Sequence, residues 1–315
     1  MPHAPSLNII TLGCSKNTVD SEKLLRQFSE AGYDVVYDDY TFDSEIVIIN
    51  TCGFINDAKE ESINTILQFV EARKSGKIRK LYVMGCLSER YVGQLRLEIP
   101  EVDSYFGVNN PVEVLEGVGA DLKKDLLNER ILSGPSHYAY LKISEGCNRT
   151  CAFCAIPKIR GNYISRPLEE LVDEAETLAT GGVKELILIA QDLSYYGIDL
   201  YGEQRLAELI RQLALIKDIK WIRLHYLYPA NFPLEIIELM NTESKLCRYI
   251  DLPIQHISDT VLNMMKRSHG GKETIDLLNR IKKDLPEAAV RTTLIAGHPG
   301  ETEKNFDELR EFILK

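Results

Sequence analysis

Residues 145–154 read EGCNRTCAFC, and they place Cys147, Cys151 and Cys154 at Cys-x3-Cys-x2-Cys spacing. Structural zinc takes four ligands, usually as two paired Cys-x2-Cys units, so three thiolates are one too few for a closed tetrahedral site. A cubane iron-sulfur cluster has four irons, and three protein ligands leave one iron with a position open to a small molecule. That pattern points to chemistry at the cluster rather than electron storage. Upstream of the cysteines, Tyr138 to Ile143 (YAYLKI) alternates as a strand that delivers the loop at its carboxyl end.

Downstream the same unit repeats. Arg166-Pro167 precedes a predicted helix from Leu168 to Ala179, stopped by Gly181-Gly182, and then the strand Glu185 to Ala190 ends at Gln191-Asp192. Helix Leu206 to Ile216, strand Trp221 to Leu224, strand Tyr249 to Leu252 and strand Val290 to Ala296 continue the series. Polar residues follow each strand: His225 to Pro229, Pro253 to His256, Gly297 to Thr302. This is the pattern of a (β/α) barrel or partial barrel with its site at the carboxyl-terminal face.

The amino-terminal part alternates strand and helix too, which predicts an open parallel α/β sheet. Leu7 to Leu12, Glu45 to Asn50 and Lys80 to Met84 read as strands, with helices from Asn17 or Asp20 to about Ala31 and from Ile55 to Lys74. Strand Val102 to Phe106 and a helix from Pro111 finish the domain, and the turn-rich LSGPS at 132–136 is the best boundary. The expected division is 1–134 and 135–315. The first, second and third of the long strands each end beside a glycine and a cysteine: Gly13-Cys14, Cys52-Gly53 and Gly85-Cys86. In an open parallel sheet the loops after the strands emerge at one edge, where ligands bind. Cys14, Cys52 and Cys86 are therefore expected to converge. The competing reading is three unrelated buried thiols, since free Cys is among the most buried residue types.

With 315 residues, a net charge of -10 and seven cysteines, the chain suits two domains whose thiols are ligands or free rather than paired. No run approaches the roughly 18 apolar residues of a membrane span, and MPHAPSLNIITLG has no basic segment followed by a sustained apolar one. A cytoplasmic location is the expectation. The acidic balance argues against a body that grips nucleic acid by itself and agrees with a basic protein partner. Gly270-Gly271-Lys272 lacks the preceding glycine of a phosphate-binding loop.

The stretch EGCNRTCAFC resembles the signature of the radical S-adenosylmethionine (SAM) enzymes. The resemblance implies that Cys147, Cys151 and Cys154 hold a 4Fe-4S cluster whose open iron binds SAM, and that the main chain at Phe153 approaches the adenine. It implies a reduced cluster that splits SAM to a 5′-deoxyadenosyl radical. The two three-cysteine sets together are similar to the methylthiotransferases over essentially the whole chain. That family implies an auxiliary 4Fe-4S cluster on Cys14, Cys52 and Cys86, two uses of SAM, and replacement of C-H by C-S-CH3. LGCSKNTVDSE from Leu12, QDLSYYG from Gln191, HYLYP from His225 and DLPIQHIS from Asp251 resemble the branch that modifies an aspartate of small-subunit ribosomal protein twelve. The alternative is the branch that modifies an adenosine of tRNA. An external electron donor and a sulfur source are implied partners.

Members continue into a last strand and a small basic barrel, TRAM. Neither is visible here, so the sequence reads as a fragment expected to keep both clusters, bind the ribosomal protein weakly and make no direct nucleic-acid contact. Gln191, Asp192, Arg223 and Gln255, at or after barrel strands, are the candidates for SAM contacts; the alternative for each is capping or pairing on the rim. Arg223 suits a carboxylate because its planar fork can bind both oxygens. Arg160 and Arg166 are candidates for orienting an acidic substrate or for surface pairs. His225, His256 and His298 are expected to hydrogen-bond rather than ligate, Cys247 stays outside both sets, and Tyr195, Tyr196, Tyr226 and Tyr228 are expected to pack.

Overall fold

The computed structural model describes residues 4–314; Met1 to His3, the start of the segment read above for a leader, and Lys315, the end of the expected second domain, lie outside them. The chain forms two units, the first of residues up to Pro135 with Lys158–Arg160, the second of Ser136–Pro157 with the residues from Gly161 onward.

In the first unit, apolar runs with little alternation become strands covered on both faces. Strands β1 (Ser6–Thr11), β2 (Asp34–Tyr37), β3 (Ile46–Thr51), β4 (Lys80–Gly85) and β5 (Ser104–Tyr105) form one parallel sheet in the order β2-β1-β3-β4-β5. Helices α1 (Ser15–Glu30), α2 (Asn56–Lys74) and α3 (Cys86–Glu98) connect β1 to β2, β3 to β4 and β4 to β5, and α4 (Pro111–Val118) follows β5. Because strand side chains alternate between faces, Ile10, Val47, Ile49, Leu81 and Val83 pack with Ile66 and Phe69 of α2, while Leu7, Ile9, Ile48 and Met84 pack with Leu24, Leu25 and Phe28 of α1. Each such side chain contributes about 1.5–3 kcal/mol by leaving water. The connections run one way from β1 to β2 and the other way from β3 onward, so the strand order reverses between β1 and β3. That is the place where an open α/β sheet forms a crevice. The helix α3, absent from the sequence reading, starts on Cys86 itself and is kinked at Tyr91.

The second unit is a partial barrel. Strands β6 (Tyr138–Lys142), β9 (Glu185–Ile189) and β10 (Trp221–Leu224) are parallel in the order β10-β9-β6, and β11 (Tyr249–Asp251) pairs with β12 (Ala289–Arg291). A bridge from Ile222 to Leu246 carries the pairing on from β10 toward β11. The short strands β7 (Ser144–Glu145) and β8 (Ile164–Ser165) form a separate antiparallel pair. The helices are α5 (Ile156–Arg160), whose last three residues cluster with the first unit, α6 (Leu168–Thr180), α7 (Ile198–Tyr201), α8 (Leu206–Leu215), α9 (Glu235–Thr242), α10 (Asp259–Met264), α11 (Gly271–Asp284) and α12 (Glu303–Leu314). Ala139, Leu141, Leu186, Leu188, Ile222 and Leu224 are buried, whereas their alternates Tyr140, Ile187 and Arg223 are only half-buried. The second face of the strands is thus less completely covered, although Ile189 on it is buried. The strand expected over Val290 to Ala296 is shorter than its sequence implies: only 289–291 ladder with β11, and residues 292–296 keep one bridge, Leu294 to Gln255. The positive φ of Gln255 bends the partner segment there and breaks the register.

Candidate active site

The first set of thiols is gathered by the sheet. Register pairs Thr11 with Asn50 and Thr51 with Gly85, so β1, β3 and β4 end level and release Cys14, Cys52 and Cys86 at one edge. Cys14 is the extended residue before α1, and Cys86 opens α3. Cys52 is clamped by Ser62 of α2, whose hydroxyl accepts from its N–H at 3.0 Å and donates to its carbonyl at 2.9 Å. Gly13 has φ +96°, and a Cβ there would stand 2.6 Å from Cys52 Cβ and 3.0 Å from its sulfur. A Cβ on Gly53 would stand 2.6 Å from Leu87 Cα and 2.9 Å from the Cys86 carbonyl carbon. The three chain segments therefore touch through glycines, which explains why each thiol has one beside it.

Asn17, seen from sequence only as a possible helix start, is the hub of this edge. It is fully buried, donates to Leu12 O at 2.8 Å and Thr51 O at 3.1 Å, and its Oδ1 lies 4.0 Å from Cys86 Sγ. Its Oδ1 also accepts from Arg160 Nη2 at 2.6 Å, and Arg160 pairs with Asp20. Arg160 is a buried member of the first unit, not the surface pair that was one of its expected roles. Burial pushes the Cys86 thiol up to about 11, with Arg160 pulling the other way, and burial also raises Cys52. Metal loading has to displace these protons. An alanine at Gly13 is expected to weaken the first unit by about 1–3 kcal/mol through its backbone alone. Urea unfolding of Gly13→Ala checks this, and a midpoint equal to the parent's would contradict it.

The second set sits on a loop closed at its base by the β7–β8 pair. Cys147 N–H donates to Gly161 O at 3.1 Å, Tyr163 N–H to Asn148 Oδ1 at 3.0 Å, Cys154 N–H to Cys151 O at 3.1 Å, and Ala152 N–H to Met265 O at 2.9 Å. Burial pushes the Cys147 thiol up to about 11 and raises Cys154. Among the described residues no group of three or more His, Cys, Asp or Glu is arranged to hold a metal ion. A cubane does not ask for that, because each thiolate binds a different iron. The donor set, three sulfurs without carboxylate or imidazole, suits iron-sulfur chemistry in both places.

The remaining candidates divide. Gln191 follows β9, and its buried Oε1 finds no hydrogen-bond partner among the described residues. Asp192 is 2% exposed; it caps Ser194 N–H at 2.9 Å and pairs with Arg149 Nε at 3.0 Å. Arg223 already pairs with Glu185 on the neighbouring strand at 2.6 Å. Gln255 is a buried non-glycine residue at φ +71°, the kind of strained backbone that clusters at sites. The ring of Phe153 is 39% exposed. Arg166 pairs with the buried Glu174 at 2.7 Å, inside the unit rather than on its surface. His256 Nδ1 accepts from Ser258 N–H at 3.0 Å, His298 Nδ1 lies 3.0 Å from Pro299 O, and half-buried Cys247 joins neither set. Tyr196 packs as expected, but Tyr228 lies between two guanidiniums, Arg149 at 4.0 Å and Arg267 at 4.1 Å from the ring centroid. Neither arginine stands out in the sequence, because their partners are far apart along the chain.

A model of the radical SAM superfamily matches residues 141–313, and one described as uncharacterized protein family UPF0004 matches residues 6–107. Ribosomal protein uS12 methylthiotransferase RimO of Phocaeicola vulgatus is 54% identical over 310 residues, covering 98% of this chain and 72% of the relative. The protein of the same name from Bacteroides fragilis is 53% identical over 310 residues with the same coverage, and that from Christiangramia forsetii is 53% identical over 307 residues, covering 98% and 68%. Among solved structures, the radical SAM methyltransferase TsrM of Kitasatospora setae superposes with TM-score 0.68 at 13% identity, over 99% of this chain and 71% of that one. The cobalamin-dependent SAM radical enzyme OxsB gives 0.66 at 12%, over 99% and 52%. At these identities the structural likeness speaks for the fold alone.

Proposed function

Because the chain belongs to the radical SAM methylthiotransferases of the RimO family, we propose that it replaces a C-H bond of an aspartate of ribosomal protein uS12 by C-S-CH3. The observation that carries this reading is the sheet-edge thiol set: Cys14, Cys52 and Cys86 at three adjacent strand ends, in a chain that also has Cys147, Cys151 and Cys154 on one loop. A radical enzyme with the loop set alone could activate carbon without a place for the incoming sulfur. The tRNA branch is not favoured, since the relatives at 52–54% identity carry the uS12 name.

In this reading residues 1–134 hold the auxiliary 4Fe-4S cluster and residues 135–315 hold the SAM cluster. Bound there, the two clusters and SAM supply the radical that removes hydrogen and the sulfur and methyl group that replace it. The chain's own residues bind and orient. Gln191, with its orphaned buried oxygen, accepts a hydrogen bond from the amine or a hydroxyl of SAM. Asp192 acts through Arg149 and the turn it caps, holding the cysteine loop in place. Arg223 binds the SAM carboxylate by exchanging it for Glu185, Gln255 offers polar groups fixed by its bent backbone, and the main chain at Phe153 meets the adenine. No helix among the described residues is long and apolar enough to cross a membrane, and the proposed ribosomal-protein substrate supports a cytoplasmic reaction. An external electron donor and a sulfur source complete the reaction.

The test is to incubate the reconstituted, reduced protein with SAM and a sulfide source against isolated uS12 and, separately, tRNA. Mass spectrometry should find one methylthio group in place of hydrogen on uS12 and none on tRNA. The reverse outcome would transfer the chain to the tRNA branch.

A further inference from the structure

We propose that Arg267 is a positioning residue that sets the reduction potential of the cluster held by the loop cysteines, by donating a fixed hydrogen bond to Cys151. This rests on the assignment of Cys147, Cys151 and Cys154 as ligands.

The geometry is specific. Arg267 Nη1 lies 3.5 Å from Cys151 Sγ, its Nη2 donates to Pro253 O at 2.8 Å, and its Nε donates to His269 Nε2 at 3.2 Å. One face of the guanidinium covers the Tyr228 ring. Burial pushes His269 down to about 4, with Arg267 adding to the effect, so the ring is neutral at neutral pH. A neutral ring that accepts at Nε2 carries its proton on Nδ1, and Nδ1 is 2.9 Å from Thr274 Oγ1, which in turn donates to Gly270 O at 2.9 Å. Every donor and acceptor in this relay has one consistent role. The guanidinium is held on several sides and cannot swing away from the sulfur.

The backbone supports the same end. The turn after α10 places Lys266 at φ +54°, with Arg267 N–H on Leu262 O at 2.9 Å. Met265, one step earlier, accepts from Ala152 in the cysteine loop at 2.9 Å. A non-glycine residue in the left-handed region costs free energy, and such strain persists where the surroundings enforce it. Here the strained turn is the piece that aims Arg267 at Cys151. Hydrogen bonds to cluster sulfurs and nearby positive charge favour the reduced, more negative state, so Arg267 raises the potential. For a reaction that begins with reduction of the cluster, this makes the electron easier to deliver.

The experiment uses the chain with Cys14, Cys52 and Cys86 changed to Ala, so that one cluster is observed. Iron content and the EPR signal during a potentiometric titration are compared for this parent, Arg267→Gln, Arg267→Lys and His269→Phe. Four irons in Arg267→Gln with a reduced-to-oxidised ratio about tenfold lower at fixed potential, a shift of about 59 mV to the negative, is the expected result. Lys should recover part of the shift, and His269→Phe, which frees the guanidinium, should show a smaller shift of the same sign. If Arg267→Gln retains its irons and titrates with the parent, the proposal is wrong. If that variant holds no iron, His269→Phe decides: a negative shift supports the role and an unmoved potential overturns it. Absence of iron in the parent would instead defeat the ligand assignment itself.

Discussion

Replacing Cys147, Cys151 and Cys154 together by Ala is expected to halve the iron of the anaerobically reconstituted protein, from about eight to about four, and to abolish SAM cleavage. Replacing Cys14, Cys52 and Cys86 should also leave about four irons but preserve SAM cleavage while ending methylthio transfer. The asymmetry follows from where the two sets stand. The loop set is tied to the strand ends of the partial barrel, beside Gln191 and Asp192, and the sheet-edge set belongs to a unit with its own core. Iron and sulfide analysis with measurement of 5′-deoxyadenosine checks all three statements. Four irons in the parent and none in the loop variant would return Cys14, Cys52 and Cys86 to the status of ordinary free thiols. Folding of each variant is controlled by the urea transition of the apoprotein, which must remain cooperative although Cys86 and Cys147 are buried.

Those expectations came largely from pattern. Strands buried on both faces have no alternation to read, yet their β-branched runs and terminal glycines located β1, β3 and β4 within a residue or two. Short spacing on one loop marks Cys147, Cys151 and Cys154, whereas Cys14, Cys52 and Cys86 are marked by their common place after three strands. The edge of the sheet was legible too, once three strands were seen to end alike. What stayed hidden depends on contacts distant in sequence. Arg149 and Asp192 are 43 residues apart, Arg267 and Cys151 are 116, and no local signal reports either pair. The helix α3 was missed because its sequence CLSERYVGQLRLE mixes exposed and buried positions around a kink at Tyr91 and lacks a capping side chain. Leu87 and Leu95 of this helix, with Ile99 just past its end, are buried in the same core as Ile66 and Phe69 of α2, and Tyr91 packs against it. Arg223 lies at the strand position that the sequence marks, but its pairing with Glu185, 38 residues away, is another contact that no local signal reports.

The pair that holds the cysteine loop should also be the most costly to break. Asp192 is buried and raised above the usual carboxylate range by that burial, with Arg149 and the Ser194 bonds opposing the rise. Removing Arg149 leaves the carboxylate without its cation, and Arg149→Met is expected to destabilise the apoprotein by about 3–5 kcal/mol. The sign of the pH dependence follows. With its folded pKa above the unfolded one, Asp192 favours the folded state when protonated, and that contribution is lost as pH rises through the folded pKa. Without Arg149 the folded pKa rises further, so the deficit of Arg149→Met relative to the parent should shrink on acidification and grow toward alkaline pH. Adding Asp192→Asn removes the buried charge and should restore most of the loss, because a matched neutral pair carries no desolvation penalty for an ion. A double-mutant cycle in urea at two pH values measures the coupling. Additive single effects, or a deficit that does not change with pH, would mean that Arg149 holds the loop through Tyr228, Ser268 and the Ala230 carbonyl, and that its bond to Asp192 is incidental.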